Sequence, residues 1–150
     1  MSSFNDALKF TGDVYITKTD TLTGKVENIE YKNLVVNAGK THIASRMSAN
    51  TVNVMSHMAV GTGNTAAAAG DTTLNTELAR VALSVTGGTA SSNTITYAAT
   101  FPAGTGTGAL TEAGVLNAAS SGTLMCRTVF PVINKQAADV IAVSWVVSIT

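Results

Sequence analysis

The segment LTEAGVLNAASSGTLMCRTVFPVINKQAADVIAVSWVVSIT, from Leu110 to Thr150, decides the fold. It contains three runs, near 111–117, 123–130 and 139–149, in which apolar or β-branched residues are the majority, and these runs are separated by the connections AASSG (118–122) and PVINKQAA (131–138). Runs of this length and composition predict strands. Pro131 is expected to help end the second strand, because proline cannot donate to a sheet ladder.

Trp145 lies in the third run and shares its odd-numbered face with Val143 and Val147. Because side chains alternate between the two faces of a strand, this pattern predicts that Trp145 is the core aromatic. The even-numbered face is also partly apolar, which favours a strand covered on both sides, either central in a sheet or buried in an oligomer.

The rest of the chain repeats the strand pattern at intervals of about 8–15 residues, with Gly- and Ser-rich turns. Residues 12–20 and 26–36 predict a hairpin whose charges face solvent and protect a sheet edge. Residues 37–47 change to helical spacing, and a single helical turn is expected after Asp71. We therefore predict an all-β fold, an antiparallel β-sandwich or jelly roll with one or two short helices, in which residues 12–150 form a single domain.

Residues 1–11 precede this domain and are predicted to form an N-terminal arm. Phe4, Leu8 and Phe10 are its large apolar residues. Two interpretations remain open: an assembly arm that docks these side chains on the domain or on a neighbouring subunit, or a frayed terminus.

The charge distribution favours assembly over nucleic-acid binding. Nine Lys and Arg balance nine Asp and Glu, and charged residues make up only 12% of the chain, so no net field attracts nucleic acid. Most charges lie in residues 1–50, and interface cores are depleted of charge, so the later residues favour an assembly surface. The alternative is that Ser and Thr solvate an ordinary β-protein.

Membrane insertion, export and disulfide formation are not expected. The chain has no apolar run of about 18 residues and no basic, apolar leader at its start. Cys126 is the only cysteine, so no intrachain disulfide is expected, which fits a reducing compartment.

Four charges lie within the apolar part of the chain: Glu77, Arg80, Glu112 and Arg127. An unpaired buried charge is costly, so we expect Glu112 to pair with Arg80 or Arg127, across strands or across a subunit boundary. A hydrolytic pair formed by Glu77 and Glu112 is the alternative, but it lacks an aromatic platform and a further acid. We predict that the chain is not an enzyme.

Other chemical motifs are weak. Residues 39–41 read Gly-Lys-Thr, but a phosphate loop requires glycine where Leu34 stands. His42, His57 and Cys126 include no closely spaced pair, whereas zinc sites use three or four such ligands. We therefore predict no metal, no cofactor and no catalytic residue.

The runs NLVVNAGKTHIASRM (33–47), HMAVGTGNTAAAAGDTTLNTELARVAL (57–83) and the segment from YAATFPAGTGTGALTEAGVL to the final Thr150 resemble small virion structural proteins of tailed bacteriophages. The resemblance covers about residues 33–150 and is most specific in residues 110–130. It implies a role in assembly within the virion, which forms in the host cytoplasm, and it supplies no active site.

Within that class, we favour a capsid cement or decoration protein that stabilises the shell as a homotrimer. The chain is short, has one domain and shows no fibrous repeat such as a shaft would need. The expected partners are the major capsid protein or other virion proteins, without nucleic acid or membrane.

The main alternative is a tail fibre or baseplate and appendage component. A carbohydrate-binding jelly roll in host recognition is a further alternative, with Tyr31, Tyr97 and Phe101 as the aromatic candidates.

Overall fold

The computed structural model describes residues 6–48 and 52–150, which form nine strands and one helix. The β-rich pattern of the sequence is therefore realised with a single 11-residue helix. The elements are β1 (Phe10–Asp20), β2 (Val26–Val35), α1 (Asn37–Met47), β3 (His57–Gly61), β4 (Glu77–Ala82), β5 (Thr89–Ser91), β6 (Thr94–Phe101), β7 (Gly108–Leu116), β8 (Leu124–Lys135) and β9 (Asp139–Ile149).

All nine strands belong to one antiparallel sheet in the order β4-β3-β7-β8-β2-β1-β9-β6-β5. The join between β2 and β8 is short, because only Leu34 and Val35 pair across it, with Arg127 and Cys126. This join divides the sheet into a first half (β4, β3, β7, β8) and a second half (β2, β1, β9, β6, β5).

The sheet curls until its two halves face each other. The amide of Ser84, just after β4, donates to the carbonyl of Ala98 in β6 at 2.8 Å, so strands far apart in the sheet order meet. The predicted fold class, antiparallel all-β with a short helix, is confirmed. The two layers expected of a sandwich are halves of one curled sheet.

The main core fills the space between the two halves. Trp145 is fully buried on β9, and its neighbours in register are Val14 on β1 and Tyr97 on β6. From the first half, Val115 and Phe130 pack into the same cluster. Full burial of side chains of this size contributes roughly 1.5–3 kcal/mol each, so this cluster is the main source of folding stability.

The first half of the sheet is also covered on its outer face. Residues 62–76, which connect β3 to β4 and are called here the clamp loop, place Leu74 in a small second cluster on that face. A Cβ atom on Gly114 of β7 would lie 2.6 Å from the Cδ1 atom of Leu74, so a larger residue there would displace the Leu74 side chain. From Leu110 to Leu116, β7 is buried at every position.

Two local predictions were wrong. Pro131 does not end β8: it lies at a bulge between the pairs Leu110–Ile133 and Glu112–Val129, where the ladder is interrupted and no proline N–H is needed. No helical turn follows Asp71, because the amides of Asn75 and Thr76 donate to the side chain of Glu112 instead of to backbone carbonyls of the clamp loop.

The first hairpin lies inside the sheet, between β8 and β9, and not at its outer edge. Because β2 meets β8 only at Leu34 and Val35, residues 26–33 have no ladder partner on that side. The charged residues of β2 therefore lie along a strand that is paired mainly on one side.

The strand ends gather at two poles. At the terminal pole, Lys9 and Thr150 exchange backbone hydrogen bonds of 2.6 and 2.9 Å. At the turn pole, the turns at 21–25, 102–107 and 136–138 lie together.

The described part of the chain contains no helix with the length and apolar character that a membrane span would need.

Candidate functional site

Glu112 is the centre of the most extensively bonded polar site in the described part of the chain. It lies on β7, where Gly61 of β3 and Val129 of β8 are its cross-strand neighbours. Strand alternation directs its side chain to the outer face of the sheet, beneath the clamp loop. The side chain is fully buried.

The clamp loop supplies three backbone donors to this carboxylate. Glu112 Oε1 accepts hydrogen bonds from the amides of Gly63 at 3.0 Å and Thr76 at 2.6 Å. Glu112 Oε2 accepts one from the amide of Asn75 at 2.8 Å. Hydrogen bonds to an ionised acceptor are stronger than neutral ones, so one side chain holds both ends of the loop against the sheet.

Arg127 on β8 completes the coordination of this carboxylate. Its Nε and Nη2 atoms lie 2.9 and 2.8 Å from Glu112 Oε2. Its Nη1 atom donates to Asp71 Oδ2 at 2.8 Å, and its Nη2 atom donates to the carbonyl of Thr65 at 2.9 Å. The guanidinium is almost completely buried, so its charge is balanced by protein groups and not by water.

Asp71 links the middle of the clamp loop to the same network. Burial acts to raise the pKa of its carboxyl group, but the amide of Ala68 and the guanidinium of Arg127 outweigh that effect and hold the pKa below its usual value. Asp71 is therefore ionised at neutral pH and pairs with Arg127 from the solvent side.

Two glycines allow the loop to approach the carboxylate closely. A Cβ atom on Gly63 would lie 2.5 Å from Glu112 Oε1, and one on Gly61 would lie 2.6 Å from the same oxygen. The hydroxyl of Thr111 also donates to the carbonyl of Gly63 at 2.8 Å. The Gly-Thr-Gly sequence at 61–63 therefore has a packing reason, which the sequence analysis did not identify.

Arg80 makes a separate site. It binds Glu77 through Nε and Nη2 at 2.8 and 2.7 Å. Its Nη1 atom donates to the carbonyls of Ala118 and Ser121, which fixes the turn between β7 and β8. Of the two partners considered for Glu112, the structure places Arg127 beside it and Arg80 beside Glu77.

These contacts do not arrange Glu77 and Glu112 as a pair for hydrolysis. Both oxygens of Glu112 accept hydrogen bonds from the clamp loop, and both oxygens of Glu77 accept them from Arg80. A general acid or base must reach a substrate, and the fully buried Glu112 does not.

Lys135 is a further buried charge, and the sequence pattern did not predict it. It ends β8 at the turn pole, and its Nζ atom donates to the carbonyls of Pro102 at 3.0 Å and Asp139 at 2.6 Å. Burial lowers the pKa of this ammonium, and the carboxylate of Asp139 opposes the shift. The available signal was its odd-numbered position two residues after Ile133, on the inward face of the strand.

The candidate metal ligands are dispersed. His42 is buried on α1, and His57 on β3 has its Nδ1 atom 2.8 Å from the hydroxyl of Ser56. Cys126 is buried on β8, and burial raises the pKa of its thiol above the usual range. Among residues 6–48 and 52–150, no three His, Cys, Asp or Glu side chains come close enough to hold a metal ion.

The aromatic residues considered for sugar binding are largely internal, which corrects that expectation. Tyr97 and Phe101 point into the core from β6, because they share its inward-facing register. Tyr31 is half-buried and packs against Phe130, with ring centroids 6.2 Å apart. A stacking platform needs exposed rings, and these three do not provide one.

The predicted arm lies only partly within the described residues. Phe10 is the first residue of β1 and packs partly against the main core, while Leu8 is 67% exposed. Phe4 lies outside the described residues.

The model of one protein family, "Phage tail-collar fibre protein, N-terminal", matches residues 28–148. The matched region runs from β2 into β9 and includes Glu112, Arg127 and the whole clamp loop. Neither the curated proteins nor the solved structures gave a match.

This family match confirms the resemblance to small structural proteins of tailed phages and separates the two roles considered for them. It favours the tail fibre alternative and gives no support to the capsid cement role that we preferred from the sequence. Chain length and the lack of a repeat do not distinguish a cement protein from one domain of a fibre. The chain belongs to the phage tail-collar fibre protein N-terminal family and is a virion structural protein of the tail fibre type.

Proposed function

We propose that this chain is a non-enzymatic module that joins a tail fibre or appendage to other virion proteins, and that it works as a homotrimer. The observation that carries the proposal is the family match across 28–148, which takes in all or most of every strand except β1. A connecting module must keep its shape under load, and the structure contains two devices suited to that task.

The first device is the Glu112–Arg127 site, which fixes the clamp loop to the first half of the sheet. The second is Lys135, which ties together the turns beside Pro102 and Asp139. Buried polar groups with satisfied hydrogen bonds stabilise one specific arrangement of a core. At both sites, the charged groups therefore hold the adjoining loops in one arrangement.

The outer face of the second half supports a role in subunit contact. On β6 and β9, the outward positions are occupied by small uncharged residues, among them Thr96, Ala98, Ala142, Ser144 and Val146. They are exposed or half-buried. Because interface cores are depleted of charge, we propose that this face meets the neighbouring subunits of the trimer.

The charged residues lie elsewhere on the same half. Lys32 pairs with Asp13, and Lys18 pairs with Glu27 at 3.2 Å, on or next to the β1–β2 hairpin. These exposed pairs contribute little stability, but they keep the hairpin side soluble. On the outer face, Asp13 is the register neighbour of Val146, so the charged hairpin borders the uncharged positions of β6 and β9 on one side. This arrangement supports an orientation with the hairpin facing solvent.

Localisation of the chain in purified particles tests the virion role. Antibody labelling followed by electron microscopy is expected to mark the tail or collar, with few copies per particle. Labelling spread over the capsid, with a copy number that scales with the capsid lattice, would contradict the proposal.

Oligomer state tests the contact face separately. Light scattering is expected to give a trimer for the natural chain and a smaller species for Ser144→Arg, because a buried arginine would lack a partner. Leu22→Arg, at an exposed turn position, is the matched control and should remain trimeric. Equal oligomer states for both variants would exclude this face as the contact.

A further inference from the structure

An apolar groove lies between α1 and β6 at the terminal pole, and we refer to it as the α1 groove. It has a volume of about 310 Å³. Ile43 and Met47 of α1 form one wall, Ile95 and Tyr97 of β6 form the other, and Met55 contributes the base. Met47 is 79% exposed, so a large apolar side chain at the rim has little cover.

The beginning of the described chain lies at the same pole. Phe10 is opposite Ile149 in the sheet, and Asn93, just before β6, exchanges two hydrogen bonds with Ile149, each 2.9 Å long. The start of β1 and the start of β6 therefore flank the end of β9. Two strand spacings, about 10 Å, separate them.

The chain before Lys9 is long enough to reach the groove. Lys9 is held by its hydrogen bonds to Thr150. Phe4 is five residues earlier, and an extended chain spans about 3.3 Å per residue, or about 16 Å over five residues. That length exceeds the separation between β1 and β6.

The composition of this segment matches the groove. Phe4 is the only aromatic residue among residues 1–9, and Asp6 follows it two positions later. Arg46 lines the groove and donates Nη1 to the carbonyl of Val52 at 3.0 Å, so a positive charge lies at the groove edge. An aromatic ring followed by a carboxylate complements an apolar groove bordered by a guanidinium.

We propose that the α1 groove is the binding site for the first five residues of this same chain, with the Phe4 ring seated against Met47 and Ile95. The proposal does not depend on the function proposed above. It places the predicted arm on the domain of the same chain and explains why α1 has an exposed apolar wall. The neighbouring-subunit interpretation becomes an outcome of the test.

Disulfide trapping in the full-length chain tests the position directly. In Asn5→Cys with Val54→Cys, at a position that lines the groove without forming the proposed seat of the ring, we expect an intramolecular disulfide to form about tenfold faster than in Asn5→Cys with Leu22→Cys. The reason is that a seated segment raises the effective concentration of the thiol pair. Leu22 lies at the opposite pole, and Cys126 is buried, which keeps the natural thiol out of the reaction.

Phe4→Ala in the Asn5→Cys, Val54→Cys background is expected to reduce the rate to that of the Leu22 control. A rate that does not depend on Phe4 would overturn the proposal, as would the absence of any disulfide. A disulfide formed only between two chains would also overturn it, and would assign the groove to the arm of a neighbouring subunit.

Hydrogen exchange supplies a second readout without cysteine substitutions. Phe4→Ala is expected to speed amide exchange in the last turn of α1 by about five- to tenfold, since local opening would no longer have to release the ring. Leu8→Ala, which also truncates an exposed apolar residue before β1, should leave that exchange unchanged. Equal exchange in the natural chain and in Phe4→Ala would contradict the proposal.

Discussion

Glu112 shows how one residue can determine the shape of a long loop. Its carboxylate accepts hydrogen bonds from three backbone amides and is neutralised by Arg127, and the side chain has no contact with solvent. Desolvation of a charge is costly, and here it is compensated by the three amides and by two guanidinium nitrogens that approach the same oxygen, Glu112 Oε2. The residue therefore fixes the clamp loop to the outer face of the first half of the sheet.

Replacement of Glu112 by Gln should lower the free energy of unfolding by about 3–5 kcal/mol, because the buried Arg127 would lose its closest counter-charge. Urea denaturation measures this change. Glu77→Gln, which breaks the more exposed pair with Arg80, is the matched control and should cost about 1 kcal/mol or less. Equal losses for the two variants would show that burial does not distinguish these pairs.

Replacement of Gly63 by Ala should destabilise the protein by about 1–3 kcal/mol, because the added methyl group would contact Glu112 Oε1 and force the loop outward. Gly70→Ala lies in the same loop, where an added Cβ meets nothing within 4 Å. Thermal unfolding should show a change within about 0.5 kcal/mol for this control. A similar loss at both positions would mean that loop flexibility, and not contact with the carboxylate, sets the cost.

At the scale of elements, the clamp loop replaces regular structure with bonds to a side chain. Its amides at Asn75 and Thr76 donate to Glu112, which explains why the helical turn expected after Asp71 does not form. Backbone donors are present at every non-proline residue. Sequence alone therefore predicted a charged pair at Glu112 but could not identify the loop that binds it.

Strands and helix were more predictable than their connections, because periodicity is a local property. The helix over residues 37–47 has the predicted bounds. Pro131 was misjudged because its bulge depends on the register of β7 against β8, a long-range property. Lys135 was missed because its partners are two carbonyls from separate turns, which leave no mark in the local pattern.

The pH response of α1 provides a test at this scale. Burial, assisted by the charge of Arg46, lowers the pKa of His42 below its usual value of 6.5 in the folded protein. The unfolded chain therefore binds a proton more readily, so stability is expected to decline as pH falls from about 7.5 to 5.5. Denaturation at a series of pH values measures this slope.

His42→Gln should flatten that slope, because the residue that takes up the proton is removed. Identical slopes in the natural chain and in His42→Gln would show that another group controls stability in this pH range.

At the scale of the whole molecule, β8 joins the two halves of the sheet. It pairs with β7 along most of its length, meets β2 at two residues and carries both Arg127 and Cys126. The sequence predicted the class of fold and the class of virion protein. It did not predict the single curled sheet, which depends on long-range pairing, and it placed the tail fibre type second to the capsid cement role, because local patterns do not encode partner surfaces.

Cys126 should report on unfolding of the whole sheet. Its thiol is buried, and burial raises its pKa, so the folded protein contains little reactive thiolate. Alkylation is expected to be slow in buffer and to accelerate in parallel with the urea transition measured by circular dichroism. An added exposed thiol at Leu22→Cys should react at once, and rapid alkylation of Cys126 in buffer would show that β8 opens locally.

The reciprocal hydrogen bonds between Lys9 and Thr150 allow the order in which the strands follow one another along the chain to be changed. Because the two residues are in contact, a short linker between them would close residues 9–150 into a ring without disturbing β1 or β9. A circular permutant with new ends in the exposed turn at 103–105 should then keep the curled sheet. A permutant opened within residues 64–74 would divide the amide donors of Glu112 between the two ends of the chain, and should fold less stably.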